Sequence, residues 1–130
     1  MRHSEVNEAV ARRIASASLS VSDEVRAGCI RYLELLEKWN RTINLTALSF
    51  EAVHLDRTVD KLIIEPLIGA QLLASCGVSP SHWIDLGSGG GSPAIPLRLA
   101  CPCGSMAMVE SRTRKGAFLR EVVRSLALAR

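Results

Sequence analysis

The stretch from Trp83 to Ala100, WIDLGSGGGSPAIPLRLA, constrains the fold of this chain more than any other segment. Strand-like apolar residues run directly into seven residues, 87–93, of which four are glycine. Glycine at this density allows positive φ angles and lets another group approach the backbone where a Cβ would collide. The pattern predicts a buried strand, a ligand-shaped loop and a helix that begins near PLRLA.

A second strand and helix follow the first pair. SMAMV is strand-like, and TRKGAFLREVVRSLALAR predicts a helix with Phe118, Val122, Leu126 and Ala129 facing inward. Strand, helix, strand and helix at this spacing are typical of a parallel α/β unit. The predicted fold class is therefore α/β, with a helical region over residues 1–78 followed by the α/β unit over residues 79–130.

Helical signals dominate the first 78 residues. A loosely patterned helix spans about 5–17, and Ser22 before two acids predicts the start of a longer one. Asn40, Asn44 and Thr46 favour leaving that helix. A third helix is predicted over about 51–62, and Pro66 is predicted to open a fourth that ends near Cys76 and Gly77. The long helix carries one apolar stripe: Val25, Cys29, Tyr32, Leu36, Trp39 and Ile43.

Composition limits the class of protein. A chain of 130 residues suits one domain, and it contains no apolar run long enough to span a membrane. The N-terminus lacks the apolar core of a secretory signal, so a cytoplasmic protein is expected. Of the four cysteines only Cys101 and Cys103 form a close pair, with no second pair, so no metal site is predicted.

Positive charge is concentrated in the second half. Residues 1–65 hold nine basic and ten acidic side chains, whereas residues 66–130 hold seven basic and three acidic ones. This asymmetry suits a polyanionic partner, and a solvated helix face explains it as well.

The spacing of the loop glycines separates two kinds of cofactor site. Dinucleotide sites use G-x-G-x-x-G, whose last position here is Ser92. The order D-x-G-x-G-x-G, from Asp85 to Gly91, is the pattern of S-adenosylmethionine sites. Asp85 is expected to meet the ammonium group of that cofactor, and Glu110, which ends the second strand 19 residues after Gly91, its ribose hydroxyls. The predicted contacts with S-adenosyl-L-methionine are Asp85, Gly87, Ser88, Gly89, Gly91 and Glu110.

Three segments carry a family resemblance: LLEKWNRTINLTAL, IDLGSGGGSPAIPLRLA and MVESRTRKGAFLREV. With them the chain, from about residue 23 to 130, resembles the bacterial 16S ribosomal RNA guanine-N7 methyltransferases known as RsmG or GidB. Ser92 stands where the family has a large apolar residue and Ala94 where it has glycine. The family segment HxxDS reads RTVDK here and keeps Asp60.

The resemblance implies a Rossmann-like class I methyltransferase fold and transfer of a methyl group to N7 of a guanosine in 16S ribosomal RNA. It implies the RNA or the small ribosomal subunit as partner and a monomeric full-length enzyme. Arg112, Arg114 and Lys115 follow the ribose-binding acid and are expected to contact RNA. No general base is expected, and the three histidines are interpreted as surface or packing residues.

The chain accommodates only the first βαβα part of such a fold. A sheet of this class has about seven strands, so the sequence is expected to be the front portion of a longer enzyme, inactive by itself. Two other functions stay open at this point: a non-catalytic module that binds a cofactor or RNA, and part of an NAD-dependent oxidoreductase.

Overall fold

Helices form the first part of the chain, and strands and helices alternate in the second part. A computed structural model gives the fold and describes residues 2–79 and 81–128. Within these residues the helices are α1 (Arg2–Ser16), α2 (Asp23–Asn40), α3 (Leu55–Val59), α4 (Glu65–Ser75), α5 (Ala94–Ala100) and α6 (Thr113–Ser125). The strands are β1 (His82–Leu86) and β2 (Ser105–Val109). The predicted α/β class is confirmed at this level.

The start of α2 is the predicted one. Ser22 is extended, and its Oγ accepts a hydrogen bond from the amide of Val25 at 3.2 Å. Asp23 and Glu24 occupy the first turn, where negative charge is favourable. The predicted stripe faces the core, with Cys29, Tyr32 and Leu36 fully buried and its other members packed against the core.

The region between residues 52 and 75 differs from the prediction of two separate helices. A 3₁₀ turn over Ala52–His54 leads into α3, a π-helical stretch over Asp60–Ile64 follows, and α4 continues from it without a break. Pro66 lies in the first turn of α4 as predicted, but the chain never leaves the helix before it. The wider π turn gives room for a proline ring that would clash with the carbonyl four residues earlier in a regular helix.

Two further helix boundaries differ from their predictions. α5 begins at Ala94 rather than near Pro96, because the amide of Ile95 already bonds the carbonyl of Gly91 at 2.7 Å. α6 ends at Ser125, where Ala127 takes a φ of 54° and closes the helix. Of the residues predicted to face inward on α6, Phe118 and Val122 are buried and Leu126 packs against the core, while Ala129 lies outside the described residues.

The two strands are parallel, as predicted. Their register pairs His82 with Ser105 and runs in step to Leu86 with Val109. Because both strands run in the same direction, the carboxyl ends of β1 and β2 lie side by side, and the glycine loop begins at that edge of the sheet.

One face of this sheet is open to solvent. Ile84 and Leu86 are 72% and 77% exposed, and Val109 lies beside them at 49%. These three residues are called the exposed sheet face below. The opposite face, with Trp83 and Met108, is half-buried against the helices.

One hydrophobic core joins the helical region to the α/β unit. Trp39 of α2 packs on Phe118 of α6, with ring centroids 5.7 Å apart and planes tilted by 58°. Burial of apolar surface is the main term that stabilises a fold, so the packing that folds the chain also fixes the helices against the glycine loop. Buried side chains come from both sides of residue 78: Val6, Val10, Tyr32, Leu33, Leu36, Val59, Ile63, Ile95, Phe118 and Val122.

Two findings concern the described residues only. None of their helices combines the length and the apolar character needed to cross a membrane. Nor do three or more of their His, Cys, Asp and Glu side chains come together where a metal ion could bind.

Candidate functional site

The glycine loop begins where both strands end. The amides of Gly87 and Ser88 donate to the carbonyl of Val109, at 2.8 and 3.1 Å. Gly87, Gly89 and Gly91 have φ angles of 70°, 53° and 93°, which favour glycine over any residue with a Cβ. The sequence predicts a ligand loop here, and the positive φ angles explain why alternate positions carry glycine.

The two sides of this loop meet different surroundings. A Cβ at Gly87 would have no neighbouring heavy atom within 4 Å, and one at Gly89 only the carbonyl oxygen of Gly87 at 3.9 Å. A Cβ at Gly90 would instead lie 2.8 Å from the carbonyl oxygen of Leu45, and one at Gly91 would lie 3.3 Å from the Tyr32 ring. Gly87 and Gly89 therefore border open space, while Gly90 and Gly91 are required by packing inside the protein.

Both carboxylate oxygens of Glu110 accept backbone hydrogen bonds, one from the glycine loop and one from the residue that precedes α6. Oε1 accepts from the amide of Gly89 at 2.8 Å, and Oε2 accepts from the amide of Arg112 at 3.0 Å. The Arg112 amide and then the Gly89 amide lower the pKa of Glu110, with a further contribution from the charges of Lys115 and Arg112. The group is thus an anion at neutral pH, held at the mouth of the loop.

Asp85 lies on the side of the sheet that carries Met108. Asp85 pairs in register with Met108, and paired residues of parallel strands project to the same face. Met108 lines one groove together with Glu110. Ser88 is buried, and its Oγ donates back to the carbonyl of Asp85 at 3.2 Å, which fixes the start of the loop.

Two residues outside the predicted set shape the loop from the helical region. The hydroxyl of Tyr32 donates to the carbonyl of Gly90 at 2.7 Å. Burial raises the pKa of Tyr32, so its hydroxyl stays a neutral donor. Asn40 accepts the amides of Leu45 and Thr46 at 2.8 and 3.0 Å, and this turn sets the Leu45 carbonyl against Gly90.

Tyr32 could have been recognised from its place in an apolar stripe. A buried tyrosine hydroxyl needs a hydrogen-bond partner, and the stripe itself offers none. What no local pattern could give is that the partner lies 58 residues later in the chain.

The three predicted RNA-contacting residues lie together at the start of α6. Arg112 and Arg114 are exposed and Lys115 is half-buried. All three line one cavity of about 530 Å³ together with the turn that follows α2. Arg124, by contrast, pairs with Glu121 at 2.6 Å further along the helix.

Several charged and polar side chains away from the glycine loop pair with one another. Arg13 holds both carboxylate oxygens of Asp60, at 2.8 and 3.0 Å, and Arg12 pairs with Asp56 at 2.6 Å. His3 bonds Glu34, and Nδ1 of His82 lies 2.9 Å from the hydroxyl of Ser105. The retained Asp60 therefore fixes α1 against the helices that follow it.

Comparison with known proteins gives a single family. The family model described as "rRNA small subunit methyltransferase G" (GidB) matches residues 26–130. The chain is 41% identical over 126 residues to the ribosomal RNA small subunit methyltransferase G of Dichelobacter nodosus, covering 93% of this chain and 54% of that protein. It is 38% identical over 113 residues to the protein of that name from Stenotrophomonas maltophilia strain K279a, covering 86% of this chain and 49% of the relative.

A third relative gives the same result. The protein of the same name from Neisseria meningitidis serogroup C is 34% identical over 115 residues, which cover 88% of this chain and 52% of the relative. The chain thus spans about half the length of the curated relatives it matches.

Proposed function

Because the chain belongs to the rRNA small subunit methyltransferase G family, we propose that it binds S-adenosyl-L-methionine as part of an enzyme that methylates N7 of a guanosine in 16S ribosomal RNA. Residues 79–130 are then a partial Rossmann-like cofactor-binding region, with residues 1–78 as the helical region that supports it. The partner is 16S ribosomal RNA or the small ribosomal subunit, in the cytoplasm. The observation that carries the proposal is the Glu110 carboxylate fixed beside the open side of the glycine loop.

The groups at this edge of the sheet suit that cofactor. The two bonds to Glu110 leave each carboxylate oxygen a further acceptor position for a ribose hydroxyl. Asp85, on the side of the sheet that carries Met108, supplies a negative charge for an ammonium group. At Gly87 and Gly89 a Cβ would project into the open space beside the loop. We assign the cofactor contacts to Asp85, Gly87, Ser88, Gly89 and Glu110, with Gly91 fixing the loop from behind.

Methyl transfer to guanine N7 requires alignment of the two reactants rather than proton transfer. S-adenosyl-L-methionine supplies an electrophilic methyl group carried on a sulfonium. Guanine N7 already carries a lone pair, so no residue of the chain has to remove a proton before the attack. The chain's part is to bind and orient the two reactants, which is itself a large source of rate enhancement. Arg112, Arg114 and Lys115 hold the RNA next to Glu110.

Replacement of Glu110 by Gln tests the cofactor site. The variant keeps the size of the side chain but removes its charge and one acceptor. Hydrogen bonds to a charged group contribute about 1.5–3 kcal/mol, so the affinity for S-adenosyl-L-methionine should fall by about tenfold or more. Isothermal titration calorimetry of the two proteins measures this.

Glu121→Gln is the matched control, because Glu121 is also a glutamate with a lowered pKa but pairs with Arg124 on α6. The control should bind the cofactor as the unmodified chain does. Equal affinities of the two variants, or no binding by the unmodified chain, would show that the cofactor assignment is wrong.

Parallel titration with NAD separates the two cofactor classes. The Ser92 hydroxyl, at the last position of the dinucleotide pattern, donates to the carbonyl of Leu62 at 2.9 Å and is engaged within the protein. We expect binding of S-adenosyl-L-methionine and none of NAD. Transfer of a labelled methyl group to 16S ribosomal RNA by the enzyme distinguishes a methyltransferase from a non-catalytic RNA-binding module.

A further inference from the structure

A cavity of one charge sign lies between the end of α2 and the start of α6. Its volume is about 530 Å³, within the range of pockets that hold small ligands. Four of its nine lining residues are cationic and none is acidic. The lining residues are Asn40, Arg41, Thr42, Ile43, Asn44, Arg112, Thr113, Arg114 and Lys115.

The four cationic side chains of the cavity form no ion pair within the described residues. Within the described part of the chain, Arg12, Arg13, Arg26, Lys61 and Arg124 each pair with a carboxylate, whereas Arg41, Arg112, Arg114 and Lys115 do not. A group of like charges in a concave site raises the local concentration of anions. The lining of the cavity therefore carries a net positive charge.

The two walls of the cavity are separate in sequence and held rigidly. Asn40 fixes the turn after α2 through the amides of Leu45 and Thr46, and Thr42 Oγ1 donates to the carbonyl of Trp39 at 3.2 Å. The packing of Trp39 on Phe118 joins this wall to α6. Arg41 is consequently presented toward the same space as Arg114, although 73 residues separate them.

The cavity also adjoins the candidate cofactor site. The amide of Arg112 bonds the Glu110 carboxylate at 3.0 Å. The amides of Arg112 and Gly89 are the main causes of the lowered pKa of Glu110, and the charges of Lys115 and Arg112 add to it. A ligand in the cavity thus lies next to the loop where the methyl donor is proposed to bind.

We propose that this cavity binds a phosphodiester segment of the RNA substrate, with Arg41 as a contact residue contributed by the helical region. The inference rests on the proposed function and extends it to a second wall of the RNA site. Guanidinium groups match phosphate oxygens in geometry and charge, and a pair of them on opposite walls can clamp one segment of backbone. Asn44, exposed on the same wall, adds an amide donor and acceptor.

The test measures how RNA affinity depends on salt. A fluorescently labelled single-stranded RNA of about 20 nucleotides is titrated with the chain by anisotropy, from about 50 to about 200 mM KCl. Each phosphate contact with single-stranded nucleic acid contributes about 0.7 to the slope of log affinity against log salt. Arg41→Gln should therefore lower that slope by about 0.7 and the affinity at about 100 mM KCl by about fivefold. Arg114→Gln should behave alike.

Arg26→Gln is the control for charge. Arg26 lies in the first part of α2, about 20 Å along the helix axis from Arg41 in the turn after α2, and forms an exposed pair with Asp23. The Arg26→Gln variant removes the same charge from the chain and should leave the slope of log affinity against log salt unchanged. If Arg41→Gln shifts the slope no more than Arg26→Gln does, or if the chain binds no RNA at about 50 mM KCl, the proposal is wrong.

Two further measurements separate the alternatives. If Arg41→Gln weakens binding of inorganic phosphate at constant ionic strength but leaves the RNA affinity and its salt slope unchanged, the cavity binds free phosphate and the RNA assignment fails. Titration of each variant with S-adenosyl-L-methionine keeps the two proposals apart. Cofactor binding without an Arg41 effect overturns this inference alone, and an Arg41 effect without cofactor binding overturns the proposed cofactor site alone.

Discussion

At the scale of single residues, the loop glycines have two different surroundings: open space on one side of the loop and packed protein on the other. Gly87 and Gly89 are held by positive φ and face open space, whereas Gly90 has no room for a Cβ because the Leu45 carbonyl lies in its place. The loop is therefore shaped from behind by the helical region while its front stays free. Tyr32 is the clearest agent of this shaping, since its hydroxyl is the side-chain donor to the Gly90 carbonyl.

Tyr32→Phe should lower the free energy of unfolding by about 1 kcal/mol, because it removes one hydrogen bond and keeps the ring packing. Urea unfolding monitored by circular dichroism measures the change. Since the lost bond fixes the loop, affinity for S-adenosyl-L-methionine should fall severalfold as well. Unchanged stability and affinity together would show that the bond to Gly90 contributes nothing.

Local sequence patterns predict the residues on the open side of the loop, whose cofactor contacts stay a prediction, and they give no sign of the residues behind the loop. Asp85, Glu110 and the glycines could be predicted because a strand end followed by glycines is a local signal. The roles of Tyr32 and Asn40 depend on the backbone groups that the fold brings next to them. Local patterns in the sequence do not show which groups these are.

At the scale of elements, three helices end in the same way, although only one of them ends at a glycine. α1, α4 and α6 each close with a left-handed residue, namely Ser18, Gly77 and Ala127, with φ of 55°, 72° and 54°. In each case the next residue's amide bonds back to the carbonyl five positions earlier. Only Gly77 carries the glycine signal, so the end of α4 was predicted within one residue and the end of α6 was not.

The π-helical stretch depends on a contact from outside its own segment. Pro66 has no amide to donate to Leu62, the residue four positions earlier, and the hydroxyl of Ser92 donates to that carbonyl at 2.9 Å. A hydroxyl from the glycine loop thus takes the place of a missing helical donor. The sequence pattern predicts a break in the helix at Pro66, because the compensating contact comes from Ser92, which is distant in sequence.

Ser92→Ala should destabilise the chain by about 1–2 kcal/mol, since the Leu62 carbonyl would lose this donor. Ser75→Ala is the control, because the Ser75 hydroxyl also donates to a backbone carbonyl at 2.9 Å but does so at an exposed helix end. Thermal or urea unfolding of both variants measures the difference. Equal stabilities would mean that the Ser92 hydroxyl does not support the π-helical stretch.

At the scale of the whole molecule, packing is uneven. The shared core covers one side of the two-stranded sheet, while the exposed sheet face presents Ile84, Leu86 and Val109 to solvent. Adjacent apolar residues on an open face of a sheet favour association between molecules. The core continues across residue 78, and the division of the chain at that residue stays a prediction.

Replacing Ile84 and Leu86 together by Thr should raise the solubility of the chain severalfold without loss of fold, because Thr keeps strand propensity while reducing apolar area. Val53→Thr is the control, since Val53 is 80% exposed but stands on the 3₁₀ turn away from the sheet. Light scattering against protein concentration detects the difference. Equal onsets of scattering for the two variants would contradict the role of this face.

The bond between Ser92 and Leu62 has a practical consequence for chimeric enzymes. Positions 66 and 92 form a coupled pair, because the proline at one removes a donor that the serine at the other replaces. A loop transplanted from a relative with an apolar residue at position 92 should therefore destabilise the chain less when position 66 is changed to a residue that carries an amide hydrogen.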